Sequence, residues 1–356
     1  MQIYHTLTPA PTPQDSAVAL GYFDGVHSGH RAVLGAAVTY AAQHGLTAAA
    51  FTFELPGNNS LKGGRILSLA QKHTRVAQLG IAQYWEPSFE EFRALSPEDF
   101  VRRVLVDCFH AKAVFCGDNF TFGAYAAGNV ALLKQLCAPY GITVDVVPMA
   151  QYGGQTVSST RIRAALEEGR LDDANAMLGK PYAIDWAVTH GKGIGSGKLG
   201  TPTINQNYPA EALQPCTGVY LTRIWLDGQW RPAATGIGRR PTVDSSANAA
   251  VTCETFVPDY AGNVYGRAPV LEFHKYLCPV RKFGSMDELA ALIHHAAEES
   301  KAYFAAQHCK GREARCRMEK PPYLRGGPRW KSLRPSAAAQ PPGWQHWCCS
   351  GWQRLR

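Results

Sequence analysis

No stretch of about 18 consecutive apolar residues occurs in this sequence, so no membrane span is expected. The opening, "MQIYHTLTPAPTPQ", lacks a basic start followed by an apolar core, so no secretory leader is expected either. Ten cysteines are present, yet none forms a CxxC pair, and Cys348 and Cys349 are merely adjacent. That argues against a zinc site and against a disulfide framework, and it points to a reducing cytoplasm. Charge is sparse at 18% while hydrophobic residues reach 46%, so 356 residues can bury the cores of two ordinary domains. No internal repeat is visible.

The net charge of +8 suggests nucleic acid until it is located. Residues 309–356 hold 11 Lys/Arg against 2 Asp/Glu, whereas the preceding residues hold 25 against 26. The body is neutral. The tail contains no Ile, Val or Phe, so it offers neither a helical stripe nor a strand alternation and is expected to be disordered. The alternative is a basic-aromatic arm for RNA or an acidic surface. With a neutral body, a nucleic-acid partner is not expected. Oligomeric state is not legible.

The first half alternates strand and helix. "AVALGYF" (17–23) reads as a buried strand, 30–45 as a helix apolar nearly all round, and "TAAAFTF" (47–53) as the next strand. Helices are expected at 69–79, 97–110, 129–140 and within 159–178, and strands at 81–86, 113–117 and 142–147. This is an open, Rossmann-like parallel sheet, which predicts a ligand at the carboxyl ends of its strands. From Pro181 to about 277 the pattern changes to short strands with frequent turns: "WAVTH", "GVYLTRIW", "AATGIG", "VTCETFV", "VLEFHKYL". "WLDGQW" is a hairpin signal. A small antiparallel β-barrel, closed by a helix over 286–308, is expected. The domains are thus read as 1–180, 181–308 and a tail of 309–356.

"GYFDGVHSGH" (21–30) brackets the start of the first helix with His27 and His30. Zinc would need further ligands; Asp24 could serve, but no matching Cys/His cluster follows. A glycine turn before a helix N-terminus suits an anion, and imidazoles there can donate to phosphate oxygens. Taken alone, the stretch could equally be a polar helix cap with two surface histidines. "VSSTRIRAAL" (157–166) sets Ser158, Ser159 and Thr160 before a helix bearing Arg161 and Arg163. That reads as a second phosphate clamp or as an ordinary capped helix with surface arginines. Two clamps on one sheet suggest a triphosphate split between its α and β phosphates.

Together, in this order, the two stretches resemble the signature motifs of nucleotidylyltransferases, in the form found in the bacterial bifunctional riboflavin kinase/FAD synthetase family. "FCGDNFTFGAYAAGN" (115–129) resembles the glycine-aromatic segment between them. The resemblance implies that Gly21, Phe23, Asp24, Gly25, His27, His30, Ser158, Ser159, Thr160, Arg161 and Arg163 hold ATP, with His27 and His30 catalytic. It also implies that Asn119 and Phe122 face FMN. An FMN phosphate is largely anionic at neutral pH and attacks the α-phosphate without a general base. "FTFELPGNN" (51–59) departs from the family, with Glu54-Leu55-Pro56 in place of a Pro-His-Pro element, and "AYAAGN" (124–129) lacks the basic residues common there. These departures keep open an alternative: a riboflavin kinase whose adenylyltransferase step is weakened or lost.

In the second domain "HGKGIGSGKLGTPTIN" (190–205) carries five glycines with Lys192 and Lys198. It is not a P-loop, since the GxxxxGK[ST] order is absent. Thr203 and Asn205 place oxygen-bearing side chains on one face of an extended segment, suited to Mg²⁺ beside ATP phosphates. A Pro-containing turn with an Asx bond is the plainer alternative. The stretch resembles the riboflavin kinase hallmark Pro-Thr-x-Asn after a glycine flap. "GIGRRPTV" (236–243) and "CETFVPDYAGNVYG" (253–266) resemble the next family segments. The resemblance implies ATP at Gly191, Lys192, Gly193, Gly195, Gly197, Lys198, Thr203 and Asn205, Mg²⁺ at Thr203 and Asn205, and flavin near Arg281. Riboflavin attacks with a neutral ribityl hydroxyl, so a base is useful, and Glu254 sits mid-strand where the family has its catalytic carboxylate. The expectation is a bifunctional transferase using ATP, Mg²⁺ and small-molecule flavin substrates: riboflavin to FMN, then FMN to FAD with release of pyrophosphate.

Overall fold

The structure, a computed structural model, describes residues 1–8, 14–55, 64–190, 202–239, 251–279 and 286–318. Six parallel strands build the first sheet: β1 (Gln2–Tyr4), β2 (Ser16–Leu20), β3 (Thr47–Phe51), β4 (Gln83–Trp85), β5 (Ala111–Gly117) and β6 (Thr143–Val147), in the order β1-β4-β3-β2-β5-β6. The edge strand β1 has no sequence signal, being three residues long and mostly exposed. Helix α1 (Ser28–His44) covers one face, and its Val33, Leu34 and Ala37 pack on Ala17, Ala19 and Ala50. The small strand residues let the helix approach closely. The alternate residues Val18, Leu20, Ala49 and Phe51 face the other way. There they meet Val101, Val104 and Leu105, from a helix that runs α over Pro97–Asp99 and π over Phe100–Cys108 (together α3). The period of two along these strands therefore divides one buried sheet between two cores. Helix α2 (Leu69–Gln78) precedes β4, and α4 (Val130–Cys137) precedes β6.

A hairpin, β7 (Gln151–Tyr152) with β8 (Gln155–Thr156), leads into α5 (Ser159–Glu167) and α6 (Leu171–Leu178), which the left-handed Gly169 separates. Seven antiparallel strands follow: β9 (Tyr182–Ile184), β10 (Val188–Thr189), β11 (Thr203–Asn207), β12 (Gly218–Leu226), β13 (Gln229–Arg239), β14 (Val251–Phe256) and β15 (Leu271–Cys278). Their order is β10-β11-β14-β13-β12-β15-β9, so the two edge strands are neighbours in the chain. The short link from Ile184 to Val188 spans at most about 14 Å, which obliges the sheet to curl until its edges nearly meet. The expected barrel is thus an open one. Asp227 and Gly228, both at positive φ, make the β12–β13 hairpin turn as the sequence predicts.

The last helix, α7 (Met286–Met318), packs Ala296 and Ala297 on Ala234 and Phe256. It runs past the expected end at 308, through a sequence rich in Arg and Lys, which favour helix. The rest of the basic tail lies outside the described residues. Among the described residues no helix is long and apolar enough to cross a membrane.

Candidate active sites

Strand order reverses around β2, whose neighbours are β3 on one side and β5 on the other. A crevice at that switch point, at the carboxyl ends, is where open sheets take ligands. The loop 21–27 leaves β2 there. Phe23 and Val26 are buried at positive φ (55° and 43°), a costly conformation for a β-branched side chain, and Gly25 lies at φ 81°. A Cβ at Gly25 would also sit 3.2 Å from Ile66 Cδ1.

Helix α1 starts at Ser28, two residues before the expected start, because His27 is its cap: His27 Nδ1 accepts from the His30 N–H at 3.3 Å. The two imidazoles stack with centroids 3.6 Å apart, and Phe23 meets His30 edge-on. The bond at Nδ1 leaves the proton of a neutral His27 on Nε2. Burial, with Arg31 nearby, pulls the His27 pKa down to about 4. Burial pulls His30 well below its ordinary value too, with His27 and Lys72 adding to the effect. Both are therefore neutral donors at pH 7, beside helix N–H groups that have no intrahelical acceptor.

Helix α5 comes to the same place. Ser158 caps it, accepting from the Arg161 N–H, and Ser159 Oγ donates to the Asp24 carbonyl at 3.0 Å. Thr160 is exposed on the first turn. The two arginines differ from the expected pair of open clamps. Arg163 is buried against the Asp24 carboxylate and donates from Nε to the Gly64 carbonyl at 2.9 Å. Burial pushes the Asp24 carboxyl above its usual range, against the pull of that guanidinium. Arg161 turns away and ties the β7–β8 hairpin through the carbonyls of Gln155 (2.9 Å) and Thr156 (2.8 Å). Gly21, Phe23, Asp24, Gly25, His27, His30 and Ser159 are brought together; the guanidinium of Arg161 is not. Asn119 is exposed just beyond β5. Phe122, expected to face FMN, is 6% exposed, packed on Phe100 and Phe120, and pinned by two backbone bonds to Gly128.

Sequence reasoning missed a buried charge cluster at the ends of β3 and β4. Lys72 Nζ lies 3.3 Å from Glu86 Oε1 and 3.4 Å from Thr52 Oγ1, and His73 Nε2 lies 2.7 Å from Glu86 Oε2. Thr52 in turn donates to the Tyr22 carbonyl at 2.8 Å, and the ammonium stands 5.2 Å over the Tyr22 ring. Burial pulls Lys72 below its ordinary range. Burial pushes Glu86 up, but His73 and Lys72 outweigh it and hold the carboxylate below its usual range. The available signal was position: Lys72 is four residues before the buried Val76, on the inward stripe of α2.

In the second domain the site is built by register. Asn205 on β11 stands opposite Glu254 on β14, which stands opposite Gly236 on β13. Directly opposed residues share a face, with Cβ atoms about 5 Å apart. Thr203, two residues from Asn205, lies on that face too, next to where α7 covers Phe256 and Ala234. The other face carries Ile204, Cys253, Thr255 and Ile237 into the core. Asn205 is 8% exposed, and its Nδ2 donates to the Thr203 carbonyl at 3.1 Å. Glu254 is half-buried. Gly191, Lys192, Gly193, Gly195, Gly197, Lys198 and Arg281 lie outside the described residues.

The family model for FAD synthetase matches residues 10–161, and that for riboflavin kinase matches residues 178–304. A bifunctional riboflavin kinase/FMN adenylyltransferase of Bacillus subtilis is 33% identical, covering 82% of this chain and 93% of its own.

The chain belongs to the bifunctional riboflavin kinase/FMN adenylyltransferase family.

Proteins of the same description from Escherichia coli K12 (32% identical, 81% of this chain, 92% of theirs) and Pseudomonas fluorescens (31%, 83% and 95%) agree. A crystal structure described as a macrolide-efflux protein from Streptococcus pneumoniae superposes with a TM-score of 0.75 at 25% identity, covering 84% of this chain and 98% of that one. Both sheets of this family are thus present in one chain, each with the motif set that the sequence assigns to it.

Proposed function

We propose that the two activities of this riboflavin kinase and FMN adenylyltransferase divide between the two sheets, with a boundary near residue 180. In the first, the loop 21–30 and the start of α5 hold ATP. The neutral His27 and His30 donate to its phosphates, and the first-turn N–H groups of α1 face the developing charge. An oxygen of the FMN phosphate bonds to the α-phosphorus as the bond to the β-phosphate oxygen breaks, giving FAD and pyrophosphate. The observation that carries this reading is the stacked His27–His30 pair at the switch-point crevice.

In the second sheet Glu254 takes the proton of the ribityl hydroxyl as that oxygen bonds to the γ-phosphorus of ATP, giving FMN and ADP. Thr203 Oγ1 and Asn205 Oδ1 are hard oxygens one strand away from that carboxylate. They fit Mg²⁺, which takes few protein ligands and keeps waters and phosphates. When bound, the ion neutralises charge on the transferred phosphoryl group. The protein works in the cytoplasm.

The test is a coupled assay. Purified protein with riboflavin, ATP and Mg²⁺ yields FMN and then FAD, and FMN supplied separately yields FAD. FMN accumulating with no FAD from either substrate would favour a kinase with a lost adenylyltransferase. No flavin product at all would overturn both assignments.

A further inference from the structure

We infer that the kinase domain sets the geometry of the adenylyltransferase site through a short strap, residues 64–67, which makes Gly64 and Leu213 positioning residues for FMN adenylylation. The inference rests on the assignment of the loop 21–30 and α5 to that reaction.

The strap meets the first site at two points. The Ile66 N–H donates to Asp24 Oδ1 at 3.2 Å, and the Gly64 carbonyl accepts from Arg163 Nε at 2.9 Å. Asp24 and Arg163 are themselves paired, so strap, carboxylate and guanidinium form a closed ring. Asp24 belongs to the strained loop before His27, and Arg163 to the helix whose Ser159 holds the Asp24 carbonyl. A shift of the strap therefore moves both halves of the proposed ATP clamp.

The opposite edge of the strap is held by the kinase domain. The Arg65 N–H donates to the Glu211 carbonyl at 2.8 Å, and the Leu213 N–H donates to the Arg65 carbonyl at 2.9 Å, as a parallel bridge between Arg65 and Ala212. In extended chain, successive peptide groups point to opposite sides. Arg65 thus turns its backbone to the kinase domain, while Gly64 and Ile66 turn theirs to Asp24 and Arg163. The approach is close. A Cβ at Gly64 would lie 2.4 Å from Leu213 N and 2.6 Å from Ala212 C, backbone atoms that cannot yield without moving the strap. Ile66, Leu67 and Leu213 are 2%, 3% and 2% exposed in one shared core, so the strap has no slack. Tight cores transmit displacement rather than absorb it.

The test uses the full chain carrying Gly64→Ala and, separately, Leu213→Ala, which touches neither Asp24 nor Arg163. Four quantities are measured on each preparation: kcat/KM for ATP in FMN adenylylation, kcat and KM for riboflavin phosphorylation, and Tm. A displacement of about 1 Å in a positioned site costs on the order of 100-fold in rate. We expect Gly64→Ala to lower adenylylation at least tenfold and Leu213→Ala to lower it severalfold, with riboflavin phosphorylation within twofold of the parent chain. Adenylylation unchanged in Gly64→Ala, or both activities falling in step with Tm, overturns the inference. If Gly64→Ala does not fold, Leu213→Ala decides it by the same ratio. A parent chain that makes no FAD from FMN instead refutes the assignment of the site itself.

Discussion

The two proposed sites of this chain are assembled in different ways. The parallel-sheet site gathers residues far apart in sequence, Asp24 with Arg163 and Gly64 with Arg163, beside the buried pair Lys72 and Glu86. The antiparallel site takes Asn205 and Glu254 from adjacent strands, where one register aligns them on a half-covered face. The difference suits the chemistry. An incoming phosphate dianion needs no base but needs fixed dipoles and neutral donors that stay in place. An incoming hydroxyl needs one carboxylate that can exchange a proton with solvent-accessible surroundings, and a strand face supplies that. Long-range burial makes the first site rigid and vulnerable to distant changes; local register makes the second robust.

The largest effect that would break this contrast is in catalysis. Glu254→Gln should lower riboflavin phosphorylation by about 10²- to 10⁴-fold while FMN adenylylation stays within twofold, whereas His30→Ala should do the reverse with a loss of at least tenfold. Separate assays with riboflavin and with FMN check it, and loss of both activities in either variant contradicts two independent sites. Next comes stability. Arg163→Ala leaves the buried Asp24 carboxylate without its partner, at a cost of about 3–5 kcal/mol, read by urea unfolding. The exposed pair Arg102–Asp99 should contribute far less, because solvent screens it.

A smaller effect is expected with pH. The folded chain holds His27 near 4 against an ordinary 6.5, so between those values the unfolded chain binds more protons. The His27 contribution to stability is therefore complete above about pH 6.5 and is lost as pH falls towards 4. His27→Asn keeps a capping oxygen and should flatten that dependence in denaturant titrations at stepwise pH. The smallest effect is expected from deleting 319–356, which lies beyond both family matches: both activities should stay within twofold. Salt-sensitive RNA binding that this deletion abolishes would instead support the basic-arm reading.

Much of the fold was legible because its signals are local. Asp-Gly between half-buried runs gave the hairpin, and alternating apolar runs gave β12, β14 and β15. The Gly-rich loop ahead of an apolar helix marked the turn from β2 into α1. The strand β1 and the short hairpin β7–β8 escaped because two or three residues carry no periodicity. Arg163 and Phe122 were visible as residue types, but not in what they do. Nothing beside the helix cap shows that Arg163 lies against Asp24. Nothing in the glycine segment shows that Phe100 and Phe120 pack against Phe122.

By itself, then, the sequence determined the two sheet types and their order, since each depends on periodicity and turn residues within a few positions. Only the tertiary structure decided which charges are buried together and which edge holds the strap at Gly64. Burial and pairing between residues a hundred positions apart leave no periodic trace in the chain; they exist only once the sheet is closed and water is excluded.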